Sequence, residues 1–361
     1  MRRLSILISL VLGIFLSFSS FAADADEIGD TIFSAVPDEL AGIVNEDSAD
    51  RLFDLRYVLS GIADAVGERL FSSFASFGAL IAAVVISAVY RTFSGALSPS
   101  LAPVLAMLSR VVCSILLFSS FDSMIGDFSS CVSRLCSYMT ALSPAVTAIC
   151  VLGGSVTTAG VMSAGLMLTI SLVANVLGAF GTACLRVCFA LTLVSALSPK
   201  PAAPFLSFMK KTLTWGMGLL LGVFALVMGI QSSLASAADS ASMRTVKFAL
   251  GRLVPIVGGA VSDAVSTVSG SLAFIKSTCG TVAIVVILLT FLPTLVSFIS
   301  SRIVVSLVSF FASLFGITEE KATLDELGSL VSHMIALLLM TAVMFIYTVT
   351  LFASVSFSVG G

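Results

Sequence analysis

Few residues in this chain carry side chains suited to catalysis or binding, and those few are scattered. His333 is the single histidine, and seven cysteines stand at 113, 131, 136, 150, 184, 188 and 279. Most of those cysteines lie in apolar runs, where a free thiol packs as a small hydrophobe. A zinc centre needs three or four nitrogen or sulfur ligands gathered in one place, and one histidine with dispersed cysteines does not supply them. Cys131 and Cys136 flank what reads as an external loop, the one place where a disulfide fits the pattern. The many serines have no histidine close in sequence to act as a base. Neither a phosphate-cradling Gly-x-x-x-x-Gly-Lys-Ser/Thr loop nor a His-Glu-x-x-His helix occurs. No carboxylate pair lies inside an apolar run, and Asp122 and Asp127 read as loop residues. The residues therefore point away from an enzyme and imply no cofactor and no metal.

Two features have chemistry of another kind. Arg110 stands in the middle of the apolar run LAPVLAMLSRVVCSILLFSSF. An arginine at bilayer mid-depth costs about 2.5–3.5 kcal/mol on insertion scales and faces a bundle interior or a wet cavity. It is read either as a residue of a polar path or as a structural tie to the carbonyls of a neighbouring helix. The second feature runs from Arg244 to Pro293 and begins with four bases, Arg244, Lys247, Arg252 and Lys276. Within it Val261, Val265, Val268, Leu272 and Ile275 recur at helical spacing, with Ser262, Asp263, Ser266 and Ser269 turned away from that stripe. Pro255 and the pair Gly258-Gly259 precede the stripe and predict a sharp change of chain direction. A polar-faced helix thus leads straight into the apolar run that follows Lys276.

These elements must sit in a membrane. The 361 residues are 58% apolar and 11% charged, and mean hydropathy is +1.14. A soluble chain carries about a quarter charged residues. Charge is also unevenly placed: twelve acids and three arginines fall between Asp24 and Leu70, and eight acids and thirteen bases follow. The bases are scattered without interleaved aromatics, which excludes a nucleic-acid surface.

Residues 1–23 have the basic start, apolar run and small-residue end of a secretory signal, with cleavage expected near Ala22 or Ala23 and an uncleaved first helix as the alternative. Residues 24–70 form an acidic extracytoplasmic segment, in which Leu52, Leu55, Leu59, Ile62, Val66 and Leu70 mark an amphipathic helix. Apolar runs at 71–90, 101–121, 138–153, 157–178, 183–199, 212–233, 279–299 and 334–357 are candidate spans. The expected fold is all-α, a polytopic bundle of about 7–8 spans, with transmembrane helices over 71–233 and 279–361 around the motif segment 234–278. Eight crossings put Arg91, Lys200, Lys210, Lys211 and Arg302 on the cytoplasmic side, and the motif loop 234–278 outside. The run 138–153 is short and carries Pro144 and Gly153-Gly154, so it reads as a broken or re-entrant helix. Ala-Leu-Ser-Pro at 96–99, 141–144 and 196–199 reads as helix-ending punctuation. Gly218-x-x-x-Gly222, Ala174-x-x-x-Gly178 and Ala159-x-x-x-Ser163 allow close helix contacts.

One stretch also carries a family likeness. The pattern Arg244-x-x-Lys247, Pro255-x-Val257-Gly258-Gly259-x-x-Ser262-Asp263-Ala264, then Ser271, Lys276, Gly280 and Pro293, resembles the stage III sporulation protein AE family. The resemblance implies a mother-cell membrane protein at the engulfed forespore, within a secretion-like channel complex needed for late forespore gene expression. It implies as partners the other membrane proteins of the stage III sporulation A operon, their secretion-type ATPase, and the forespore's stage II sporulation protein Q. It draws Arg244, Lys247, Pro255, Gly258, Gly259, Asp263 and Lys276, with Arg110, together as candidate channel or partner-contact residues. A stand-alone secondary transporter is the alternative, and membrane lipid is the surrounding partner on either reading.

Overall fold

A computed structural model describes residues 101–152, 156–197, 199–253 and 258–354, together with Val36 and a few residues between 67 and 89. The signal 1–23 and nearly all of the acidic segment 24–70 lie outside the described residues. All described elements are helical: α1 (Leu101–Leu152), α2 (Val156–Leu172), a π-helical segment (Val173–Gly181), α3 (Thr182–Leu197), α4 (Pro199–Leu253), α5 (Gly258–Leu314) and α6 (Thr318–Ser354). Among the described residues five stretches are long and apolar enough to cross a membrane: Ser120–Val151, Ala159–Ser195, Pro204–Gln231, Cys279–Leu314 and Glu320–Phe352. This is a polytopic membrane protein.

The helices are held by one apolar core, with Phe121, Phe128 and Tyr138 of α1, Phe298 of α5 and Phe345 of α6 almost wholly enclosed. Several threonine hydroxyls inside this core bond a carbonyl of their own helix, whereas those of Tyr138, Thr182 and Thr294 are buried with no hydrogen-bond partner among the described residues. Thr192 donates to the Cys188 carbonyl at 2.9 Å, Thr290 to that of Val286 at 2.7 Å and Thr341 to that of Leu337 at 3.0 Å. The α5–α6 hairpin turns on Gly316, whose φ of 70° suits a residue without Cβ. There Gly316 N–H bonds the Ser313 carbonyl at 3.1 Å and Ile317 N–H that of Ala312 at 2.8 Å. Ile317 is buried beside Ala312, so the carbonyls at the end of α5 are capped and the reversal is fixed.

Several sequence expectations change here. Runs 101–121 and 138–153 belong to one unbroken helix, α1, and runs 157–178 and 183–199 to one continuous helical rod. A continuous helix crosses once, so two crossings disappear; the number is even, and the sidedness expected for everything after residue 183 is unchanged. Pro144 lies inside α1 rather than ending it, whereas the Ala-Leu-Ser-Pro at 196–199 does mark a boundary, between α3 and α4. The expected break at Gly153-Gly154 lies outside the described residues. Cys131 and Cys136 flank no loop: both lie on α1, five positions apart, buried and in no disulfide, and helical spacing turns them away from each other. The motif segment 234–278 is not a loop either. α4 continues helically to Leu253 and α5 starts at Gly258; the expected change of direction at Pro255 lies outside the described residues.

Candidate functional site

α1 is divided along its length by what it shows to its surroundings. From 104 to 118 its exposed side chains include Val104, Met107, Leu108, Val112, Ile115 and Phe118, suited to lipid. After Phe118 no large apolar side chain is exposed until Val151. The exposed residues in between are Asp122, Ser123, Asp127, Ser130, Ser133, Ser137, Thr140 and Pro144. Opposite them, Phe121, Met124, Phe128, Val132, Leu135, Met139 and Leu142 enter the core. The two stripes interleave at helical spacing, so one helix presents an apolar back to the bundle and a polar front to the outside. From Asp122 to Thr140 the polar front is about 27 Å long at 1.5 Å per residue, nearly the ~30 Å hydrocarbon thickness.

Beside this front lies a groove of about 730 Å³. Ser129, Ser133, Ser137 and Thr140 of α1 form one wall; Ala174, Gly178 and Ala179 of the π-helical segment form much of the other. The walls meet at ordinary packing distance, since a Cβ on Gly178 would stand 3.6 Å from Val132. The π-helical winding shifts hydrogen-bond register, a feature found often at functional positions. It also turns Asn175 outward, where its amide bonds the Ser171 carbonyl at 2.9 Å and hydroxyl at 3.2 Å. Arg134, half-buried near the middle of Ser120–Val151, stands behind the serines.

Chemically, this is a wall of small hydroxyls with two carboxylates and a guanidinium on its helix. Lipid is the wrong neighbour for it: ionised groups at mid-span cost about 2.5–3.5 kcal/mol each when apolar chains surround them. Water or another protein's polar surface is the right one. Among the described residues no group of three metal-ligating side chains is present.

The sequence-expected residues fall elsewhere. Arg110 lies on α1, the same helix that carries Arg134. Arg244 and Lys247 fall near the end of α4, Gly258 and Gly259 open α5, and Asp263 and Lys276 follow on α5. Pro255 lies outside the described residues, as do the side chains of the other seven. Reading Asp122 and Asp127 as loop residues hides the α1 front, since both lie on the helix. The recurrence of polar residues at 122, 123, 127, 130, 133, 137 and 140 was the available signal.

A family model described as Stage III sporulation protein AE matches residues 40–356. The chain belongs to the stage III sporulation protein AE family. One relative, the Stage III sporulation protein AE of Bacillus subtilis (strain 168), is 19% identical over 338 residues, covering 91% of this chain and 84% of its own length. No solved structure matches. Membership of the stage III sporulation protein AE family makes this a sporulation membrane protein and names no enzyme class. The match spans the polar front of α1 as well as the 244–293 motif.

Proposed function

We propose that this chain is a polytopic component of a secretion-like channel or export complex between mother cell and forespore, acting after engulfment, and that the polar front of α1 supplies one wall of its path. The observation that carries this is the stretch from Phe118 to Val151, which exposes no large apolar side chain across nearly a bilayer's thickness. On this reading the protein sits in the mother-cell membrane around the forespore. Its partners are the other stage III sporulation A-operon membrane proteins with their ATPase and, through the complex, the forespore's stage II sporulation protein Q. The helical stretches carrying Arg244, Lys247, Gly258, Gly259, Asp263 and Lys276, at the end of α4 and the start of α5, are the part offered to those partners.

The test is thiol accessibility. In a chain cleared of native cysteines, Ser130→Cys, Ser133→Cys and Ser137→Cys are expected to react with a water-soluble thiol reagent in native membranes, because the reacting thiolate forms only where water reaches. Leu219→Cys and Leu226→Cys, on the exposed apolar face of α4, are expected to stay unreactive. Silence at all three serine positions would overturn the path reading. Ser133→Leu with Ser137→Leu should leave the protein inserted yet block sporulation after engulfment, with Ser133→Ala close to normal.

The groove's volume also favours a second reading, a stand-alone transporter of a small polar solute. Solute uptake by the purified chain alone in vesicles would decide for it.

A further inference from the structure

A second polar cluster sits far from the α1 front, at the end of the bundle where α4 begins and the α5–α6 hairpin turns. Here α4 and α6 run parallel and enclose a pocket of about 400 Å³, lined by Ser207, Lys210, Lys211, Thr214 and Trp215 of α4 and by Glu326 and His333 of α6. Lys210 is ion-paired with Glu326, which leaves Lys211, exposed at the pocket edge, as its uncompensated charge. His333 Nδ1 lies 2.8 Å from the Ser329 carbonyl, an acceptor only, so this nitrogen carries a proton. Its Nε2 faces Thr214 Oγ1 at 3.3 Å. Ammonium, hydroxyl and imidazole groups therefore converge on one small space.

The surroundings say what kind of anion fits. Trp215 is 80% exposed, the most exposed of the large apolar side chains, and an indole so placed anchors at the lipid headgroup level. Below it on the same face of α4 come Gly218, Gly222 and Gly229, none of which has a heavy atom within 4 Å of where a Cβ would stand. Leu219 and Leu226 flank those notches, and Leu339, Val343 and Tyr347 are exposed along α6. Phe224 meets Tyr347 edge-on at 5.9 Å and closes the floor between the two helices. A polar pocket at the membrane edge thus opens into a shallow apolar crease along the bilayer.

We infer that the α4–α6 pocket binds the phosphate headgroup of an anionic phospholipid, with an acyl chain lying along the glycine-notched face of α4. Basic pockets between membrane helices near the anionic cytoplasmic surface take such headgroups, and the basic residues Lys210, Lys211, Arg302 and Lys321 all gather at this end. This site is independent of the α1 front and of the channel reading.

The experiment is thermal unfolding of the purified full chain in neutral detergent with added phosphatidylglycerol or phosphatidylcholine. Phosphatidylglycerol is expected to raise Tm well above phosphatidylcholine, since a ligand bound only by the folded state stabilises it. Lys211→Gln and Thr214→Val should each remove at least half of that difference. Lys321→Gln, at the same end but engaged with Asp325, should leave it intact. Equal shifts from the two lipids, or a loss as large in Lys321→Gln as in Lys211→Gln, would overturn the site. Inorganic phosphate at matched ionic strength is the remaining arm: stabilisation equal to that by phosphatidylglycerol would assign the pocket to free phosphate and overturn the lipid.

Discussion

Gly165 and Gln231 meet so closely that neither can change alone. A Cβ on Gly165 would fall 1.5 Å from Gln231 Nε2, the same nitrogen that donates to the Val161 carbonyl at 3.1 Å. Gly165→Ala is therefore expected to expel the amide and leave a buried polar group unpaired, lowering stability by about 1–3 kcal/mol. Gln231→Ala should cost less, and the double variant should recover most of the loss. A double-mutant cycle read by thermal unfolding checks this; strict additivity would show that the two residues do not share the space. Gly328 has a looser version of the same relation, with a Cβ there 2.6 Å from Arg302 Nη1. The guanidinium end of Arg302, bonded to Ser332 and Ser306, can move aside, so Gly328→Ala should be milder than Gly165→Ala.

At the level of elements, legibility depended on whether a helix is uniform around its circumference. α5 was readable because the most apolar 18-residue window within Cys279–Leu314 has a mean hydropathy of 2.7. The best such window within Ser120–Val151 reaches only 1.2, since a window mean mixes the apolar back of α1 with its polar front. The averaging split one helix into two runs with an apparent loop between them. Pro144 strengthened that impression, yet the bond it cannot make falls on the carbonyl of Thr140, a residue of the polar groove wall, where the freed oxygen is not stranded in hydrocarbon. The π-helical segment left no mark in composition, because Val173–Gly181 is as apolar as its neighbours. The turn at Gly316 gives a prediction for this scale. Gly316→Val must place a branched side chain at φ of 70°, and should destabilise the α5–α6 hairpin by about 1–2 kcal/mol, seen as a lower Tm with the helical content of the folded state unchanged.

For the molecule as a whole, α4 continues as helix to Leu253 and α5 begins as helix at Gly258, beyond the apolar runs 212–233 and 279–299 read from the sequence. Residues 232–253 alone extend about 33 Å as helix. Ser242→Cys and Ser269→Cys, on these extensions, are expected to react with an impermeant thiol reagent from outside intact protoplasts, while Lys210→Cys is protected until the membrane is opened. Protection of both extension sites would reverse the sidedness assigned to the bundle. The polar front of α1 has a further consequence, for the life of the protein in the cell. On the proposed reading another subunit covers this flank of serines and carboxylates, so a chain made alone should be short-lived and its amount should follow that of whatever covers α1. Pulse-chase labelling would show a short half-life for the chain expressed by itself and a long one beside its proper neighbours, making its turnover an assay for the partner.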